Sequence, residues 1–287
     1  MLGIKRFLRR IRLGLTLAVG GLRVLRTHPK LLVFPLVSGV LSITFLVALL
    51  GPLFVFETTY GLSELGDAGA YVGLFVVYFG TTFIATFANA ALVHAAGESF
   101  SGEEPSVVRS LKATWDRAGI IAVWAVIAAV VGTLIRAVES RSSIGAKVVA
   151  MVFSAGWSIA TFFVVPVIVF EDVSVRGMFG ESLGTFRRTW GESAGAGIGI
   201  GVITGLGTLV AAFLAFNVPV MLFPSLGGFA VGVVLAGSVA VVGFLVHGAL
   251  WGVVKTALYG YAQTGETPEE FDALDFETLG GTLETGR

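Results

Sequence analysis

Two histidines are the side chains here whose type and position could do chemistry in an apolar setting. His94 stands four residues before Glu98, a spacing that puts both on one helical face and could place them on one metal ion. Two ligands do not complete a site, and only His28 and His247 remain as further histidines. No metal and no cofactor are therefore expected. His247 lies within a long apolar run, where an imidazole must find a hydrogen-bond partner. Asn89, Ser154, Ser158 and Thr161 are the partners the sequence offers. His247, His94 and Asn89 are thus the candidates for a buried polar site. The expectation is a polar contact between helices, with a transport site as the other reading.

The stretch GAGIGIGVITGLG, residues 195–207, resembles a phosphate-cradling loop only in its glycines. No strand precedes it, no Gly-Lys-Ser/Thr follows, and the surroundings are apolar. Gly197, Gly201 and Gly205 recur every fourth residue, as do Gly228, Gly232, Ala236 and Ala240. Small residues at that step let helix backbones approach closely in lipid, so both stripes are expected to be helix contacts. Gly199, half a turn away, is expected to matter less. The sequence holds no HExxH, no serine nucleophile elbow and no acidic cluster to hold magnesium against a phosphate. Adjacent Glu171 and Asp172 do not face each other on a helix and are read as a span end. No catalytic residue is assigned, and no enzyme is expected. The absence of cysteine excludes disulfides and thiolate chemistry.

The elements that must position these residues follow from composition. Hydrophobic residues make up 55% of the 287 and charged residues only 13%, about half of what a soluble domain carries. The apolar residues gather in six blocks, at roughly 31–56, 69–96, 118–136, 148–170, 194–215 and 226–255, each long enough for about 20 helical residues across a hydrocarbon layer. The expected fold is all-α: an integral membrane helical bundle of about six transmembrane helices, with cytoplasmic amphipathic helices in the interface. Pro35 and Pro166 are expected to kink the first and fourth spans.

Residues 1–30 carry eight basic side chains and no acidic one. Ile4, Leu8, Ile11, Leu15, Ala18, Leu22 and Leu25 recur at steps of four and three, with arginines between them. That pattern predicts a basic amphipathic helix lying on anionic headgroups, and no cleavage site of a signal peptide follows it. PSVVRSLKATWDRAG before the third span and VSVRGMFGESLGTFRRTWG before the fifth have similar apolar faces. Residues 31–261 therefore read as six spans, either a threefold repeat of interfacial helix plus hairpin or ordinary juxtamembrane amphipathicity. Residues 262–287 hold seven acidic side chains and read as a disordered cytoplasmic tail. An acidic tail, few lysines and no cysteine fit a halophile.

With both ends inside, sixteen lysines and arginines fall on the cytoplasmic side and three outside, all three in the 137–147 region and its edge (Arg136, Arg141, Lys147). This predicts a multi-pass cell-membrane protein with both termini cytoplasmic. Expected partners are a bilayer with anionic headgroups and, within it, a second copy or another membrane protein; no nucleic acid is expected. RVLRTHPKLLVFPLVSG, WAVIAAVVGTLIRAVE, GWSIATFFVVPVIVFE and ESLGTFRRTWGE occur here in the order seen in domain-of-unknown-function family 6159, uncharacterised archaeal and bacterial integral membrane proteins, which the chain resembles outside its acidic tail. A looser likeness in layout links it to the membrane domain attached to some glycerophosphodiester phosphodiesterases, whose catalytic domain has no counterpart here. The resemblance implies a six-span domain, no activity and no site residues. Two functions stay open: a non-enzymatic protein organising lipid or partner proteins, and a transporter or channel for a neutral or amphiphilic solute.

Overall fold

The computed structural model describes residues 2–60, 66–140 and 143–271, and these form helices joined by short connections. Helix α1 (Leu2–Thr27) meets a 3-10 turn, Pro29–Leu32, and then α2 (Val33–Tyr60), α3 (Gly66–Phe100), α4 (Val107–Asp116), α5 (Ala118–Glu139), α6 (Ile144–Ala160), α7 (Val164–Phe170) and α8 (Val175–Arg188). Helix α9 (Trp190–Gly201) runs through a π-helical turn, Val202–Leu206, into α10 (Gly207–Leu222), and α11 (Leu226–Thr264) closes the bundle. Serines start several of these helices by accepting a backbone N–H three residues on: Ser106 for α4, Ser143 for α6, Ser174 for α8 and Ser225 for α11. Among the described residues, six segments are long and apolar enough to cross a membrane: Pro29–Pro52, Gly69–Phe100, Ala118–Glu139, Ile144–Phe170, Gly199–Leu222 and Leu226–Thr264. The fold is an all-α membrane bundle.

The chain divides into two compact units. One holds residues 33–95 and 106–187; the other holds 96–105 and the described residues up to 32 and from 188. In the first, Gly80 of α3 faces the ring of Phe45 in α2, and Gly132 of α5 faces Tyr78 in α3. An aromatic group ties three helices together: Trp124 of α5 stacks on Trp157 of α6 at 5.7 Å, and Phe179 of α8 packs against both. Both prolines expected to kink spans sit instead at the third residue of a helix, Pro35 in α2 and Pro166 in α7. There the missing N–H is one that a helix start leaves unpaired anyway, so each proline follows a break rather than bending a continuous helix. The break before α7, at residues 161–163, is closed by Ser182 Oγ, which accepts the Phe163 backbone N–H at 3.0 Å.

In the second unit α1 is not left to lipid alone. Leu17, Ala18 and Val24 are fully buried, and Leu13 and Leu25 nearly so. Gly21 lies against Leu250 and Val254 of α11, and Gly199 of α9 lies directly on the backbone of Gly14. This corrects the glycine reading. Gly201 and Gly205 have open space where a side chain would go, Gly197 has ordinary contact with Trp251, and the close approach belongs to Gly199. The second stripe does serve packing: a Cβ on Gly232 would come within 2.7 Å of the Phe216 carbonyl oxygen, and Gly228 abuts the backbone at Phe223, so α10 and α11 form a tight hairpin.

The first four predicted spans end close to where the structure ends them; the fifth runs on from 215 to Leu222, and the last departs further. Helix α11 continues past residue 255 to Thr264, where Gly265 takes a left-handed φ of 77° and caps it. The segment expected to be a disordered tail therefore begins inside a helix. Residues 269–271 make a further turn, and Phe271 is buried edge-on against Phe100 at 6.1 Å. The rest of that tail, 272–287, lies outside the described residues, as do Arg141 and Ser142 of the 137–147 loop. Arg136 pairs with Glu139 at 3.5 Å, which offsets one of the three basic residues on that side.

Burial is uneven along the long helices. In α3, Tyr71 and Val72 are exposed while residues from Ala88 on are mostly buried; in α11, residues Leu226–Phe244 are mostly exposed and Ala249–Tyr259 mostly buried. Each unit thus has a packed part and an apolar, uncovered remainder, as a protein bathed in acyl chains requires.

Candidate functional site

Helix α4 carries its polarity inside out. Ser110 and Thr114 are buried, whereas Val108 is 77% and Trp115 70% exposed. The two hydroxyls lie on the face opposite the apolar residues. Their small size lets α4 approach α3, where Ser110 Oγ meets His94 Nδ1 at 3.3 Å; Thr114 Oγ1 donates to the Ser110 carbonyl at 2.8 Å. Trp115 meets Phe87 edge-on at 6.1 Å, at the end of a row Phe75, Phe79, Phe83 and Phe87 along α3.

A cavity of about 330 Å³ opens beside this contact. Ala90 and His94 of α3 form one wall, and Ala113, Thr114 and Asp116 of α4 another. Arg117, at the joint with α5, and Val169 of α7 complete it. Arg117 Nη1 donates to Asp172 Oδ1 at 3.2 Å. The Asp172 side chain is fully exposed and that of Arg117 36% exposed, so this ion pair contributes little. Asp116 has no ion-pair partner among the described residues. Burial along α3 sets in before the cavity, at Thr86 and Ala88, so the lining residues Ala90 and His94 belong to the packed part of that helix.

The second polar place is a pair. Thr204 sits in the π-helical turn and donates its only hydroxyl proton to the Ile200 carbonyl at 2.7 Å. Its oxygen, also 2.7 Å from His247 Nδ1, must then accept, which assigns the imidazole proton to Nδ1. A hydroxyl bonded back to its own helix and a run of glycines are features that accompany such wide turns. His247 is 21 residues into α11, and at 1.5 Å per residue that is about 32 Å from the helix start, close to a full hydrocarbon thickness. It lies just before the packed stretch of α11 that begins at Ala249.

Of the residues singled out from sequence, His94 lines the cavity and His247 makes the Thr204 pair; Asn89 is half-buried on α3 next to the cavity-lining Ala90. Thr161, offered as a partner for His247, bonds to the Trp157 carbonyl of its own helix. Sequence reading passed over Ser110, Thr114, Asp116, Arg117 and Thr204. The hydroxyls at 110 and 114, spaced by four opposite Trp115, were the signal for the first two. Lys255 was also missed as an intrahelical residue; its ammonium lies 5.2 Å from the Trp251 ring.

Among the described residues, six long apolar helices with uncovered apolar faces define a polytopic helical membrane protein. The chain belongs to a family of unknown function, DUF6159, whose model matches residues 68–269. The match begins at the second span, so the RVLRTHPK corner lies outside it and its extent is narrower than the resemblance implied. No curated protein and no solved structure matches the chain.

Proposed function

We propose that this is a non-enzymatic cell-membrane protein that organises lipid through its basic interfacial helices, with both termini cytoplasmic. The observation that carries the reading is α4: its hydroxyl face is taken by protein, and Val108 and Trp115 are left pointing away from it. Acyl chains and the headgroup zone are the partners that suit such a face. The spans support the same reading. Thr81, Thr161, Thr204, Asn217 and Ser238 each bond to a carbonyl of their own helix three or four residues back, the way polar side chains are satisfied against lipid.

The π-helical turn with its Thr204–His247 pair is the observation that favours the second reading, a path for a neutral or amphiphilic solute. One experiment separates them. In proteoliposomes, with the other four tryptophans replaced by phenylalanine, Trp115 fluorescence should be quenched most by lipids brominated near the headgroup. An imposed pH or sodium gradient should drive no solute accumulation. Trp115 indifferent to bromine, or uphill uptake that His247→Ala abolishes in a folded protein, would replace the lipid reading with transport.

A further inference from the structure

The cavity between α3, α4 and α7 has a use of its own. A volume of about 330 Å³ is at the small end of ligand pockets, which run from roughly 300 to 1,000 Å³. Its lining includes residues of both signs, the neighbours Asp116 and Arg117. We propose that the cavity binds the headgroup of a phospholipid carrying a phosphodiester and a primary ammonium. This deepens the lipid-organising function and rests on it.

Each part of that ligand has a counterpart. The guanidinium is a planar fork of five N–H donors, and the bond to Asp172 engages one nitrogen, so the fork can receive a phosphodiester. The competing partner is weak, because Asp172 is fully exposed and solvated. A phosphate alone would meet the Asp116 carboxylate as a like charge. A headgroup that brings its own ammonium turns the same carboxylate into a partner, which selects the zwitterion over an anionic lipid of equal size. Thr114 Oγ1, whose proton goes to the Ser110 carbonyl, keeps an acceptor lone pair on the cavity wall.

Position argues for a lipid rather than a soluble zwitterion. Trp115, between the lining residues Thr114 and Asp116 in the chain, is exposed on α4, and aromatic side chains mark a membrane interface. From Arg117 the chain enters α5, along which Val123, Val126, Val130 and Leu134 form an exposed apolar row. A headgroup seated at Arg117 would send its acyl chains along that row.

The test uses the full chain in nanodiscs made from equal parts of phosphatidylethanolamine, phosphatidylcholine and phosphatidylglycerol, with the retained lipid read by native mass spectrometry. The wild type should keep phosphatidylethanolamine selectively. Arg117→Gln should lower that retention about tenfold, the scale of one charge-assisted hydrogen bond. Asp116→Asn should keep lipid but lose the preference over phosphatidylglycerol. Asp172→Asn removes the rival carboxylate and keeps the cavity, so retention should hold or rise; this variant also controls for loss of the ion pair itself. Equal retention by the wild type and Arg117→Gln would overturn the site. So would glycerophosphoethanolamine, with no acyl chains, competing as strongly as the lipid, which would make the ligand a soluble one. A negative result with Trp115 still quenched by bromolipid would remove the site alone; loss of both would remove the lipid-organising function with it.

Discussion

Gly199 is the position where a single methyl group should do most damage. A Cβ added there meets the carbonyl carbon and oxygen of Gly14 and the Leu15 nitrogen, all backbone of α1. A side chain could rotate aside; a helix backbone cannot. Gly199→Ala must therefore push α1 away from α9 and uncover Leu17 and Ala18, both fully buried. Overpacking of this kind costs about 1–3 kcal/mol. Gly201 is the matched control, because it is helical at φ −59° and ψ −42° and has open space around it. Gly201→Ala should be neutral or stabilise by about 0.5–1 kcal/mol through reduced freedom of the unfolded chain. The two variants should differ by roughly 1–4 kcal/mol, which in a chain of this size is on the order of 2–16 °C in melting midpoint. Thermal unfolding in detergent, followed by tryptophan fluorescence, reads it. A chain lacking residues 1–27 should no longer distinguish the two substitutions. Equal melting of Gly199→Ala and Gly201→Ala in the full chain would refute the contact.

Thr204→Val removes the acceptor of His247 Nδ1 and should lower stability by about 0.6–1.7 kcal/mol, the range of interhelical hydrogen bonds in lipid; His247→Leu added to it should cost little more, and additive losses would show that the two side chains act independently. Because the chain has no cysteine, single cysteines report topology cleanly: Ser140→Cys and Ser225→Cys should label from outside intact cells, while Ser101→Cys and Thr264→Cys should label only after lysis. Labelling of Thr264→Cys in intact cells would invert the assignment.

The six spans were legible because a run of twenty apolar residues has essentially one stable solution in a bilayer, and the structure's spans follow those runs closely. What covers an amphipathic face was not legible. Leu17 and Val24 have the same periodicity whether lipid or α9 and α11 lie against them, and the misplaced glycine contact follows from that one ambiguity. The stripe at 197, 201 and 205 also assumed unbroken α-helical turns. The π-helical turn at Val202–Leu206 adds residues per turn and carries Gly205 off the line of Gly197. At the cavity, His94 stood out because histidine is rare among apolar residues. Asp116 and Arg117 did not, since a charged pair at a helix joint looks like any solvated loop until α7 is folded beside it.

The uncovered length of α11 carries a consequence for where the protein can live comfortably. From its cap at Ser225 the helix presents Leu226–Phe244 to its surroundings, roughly 28 Å of mostly apolar surface at 1.5 Å per residue. A bilayer core of about 30 Å is close to that. The match lets this helix cross near the membrane normal, and a core several ångströms thicker would have to thin around it. The protein's preference among membranes is then partly a matter of thickness, written into one long helix and the turn that caps it.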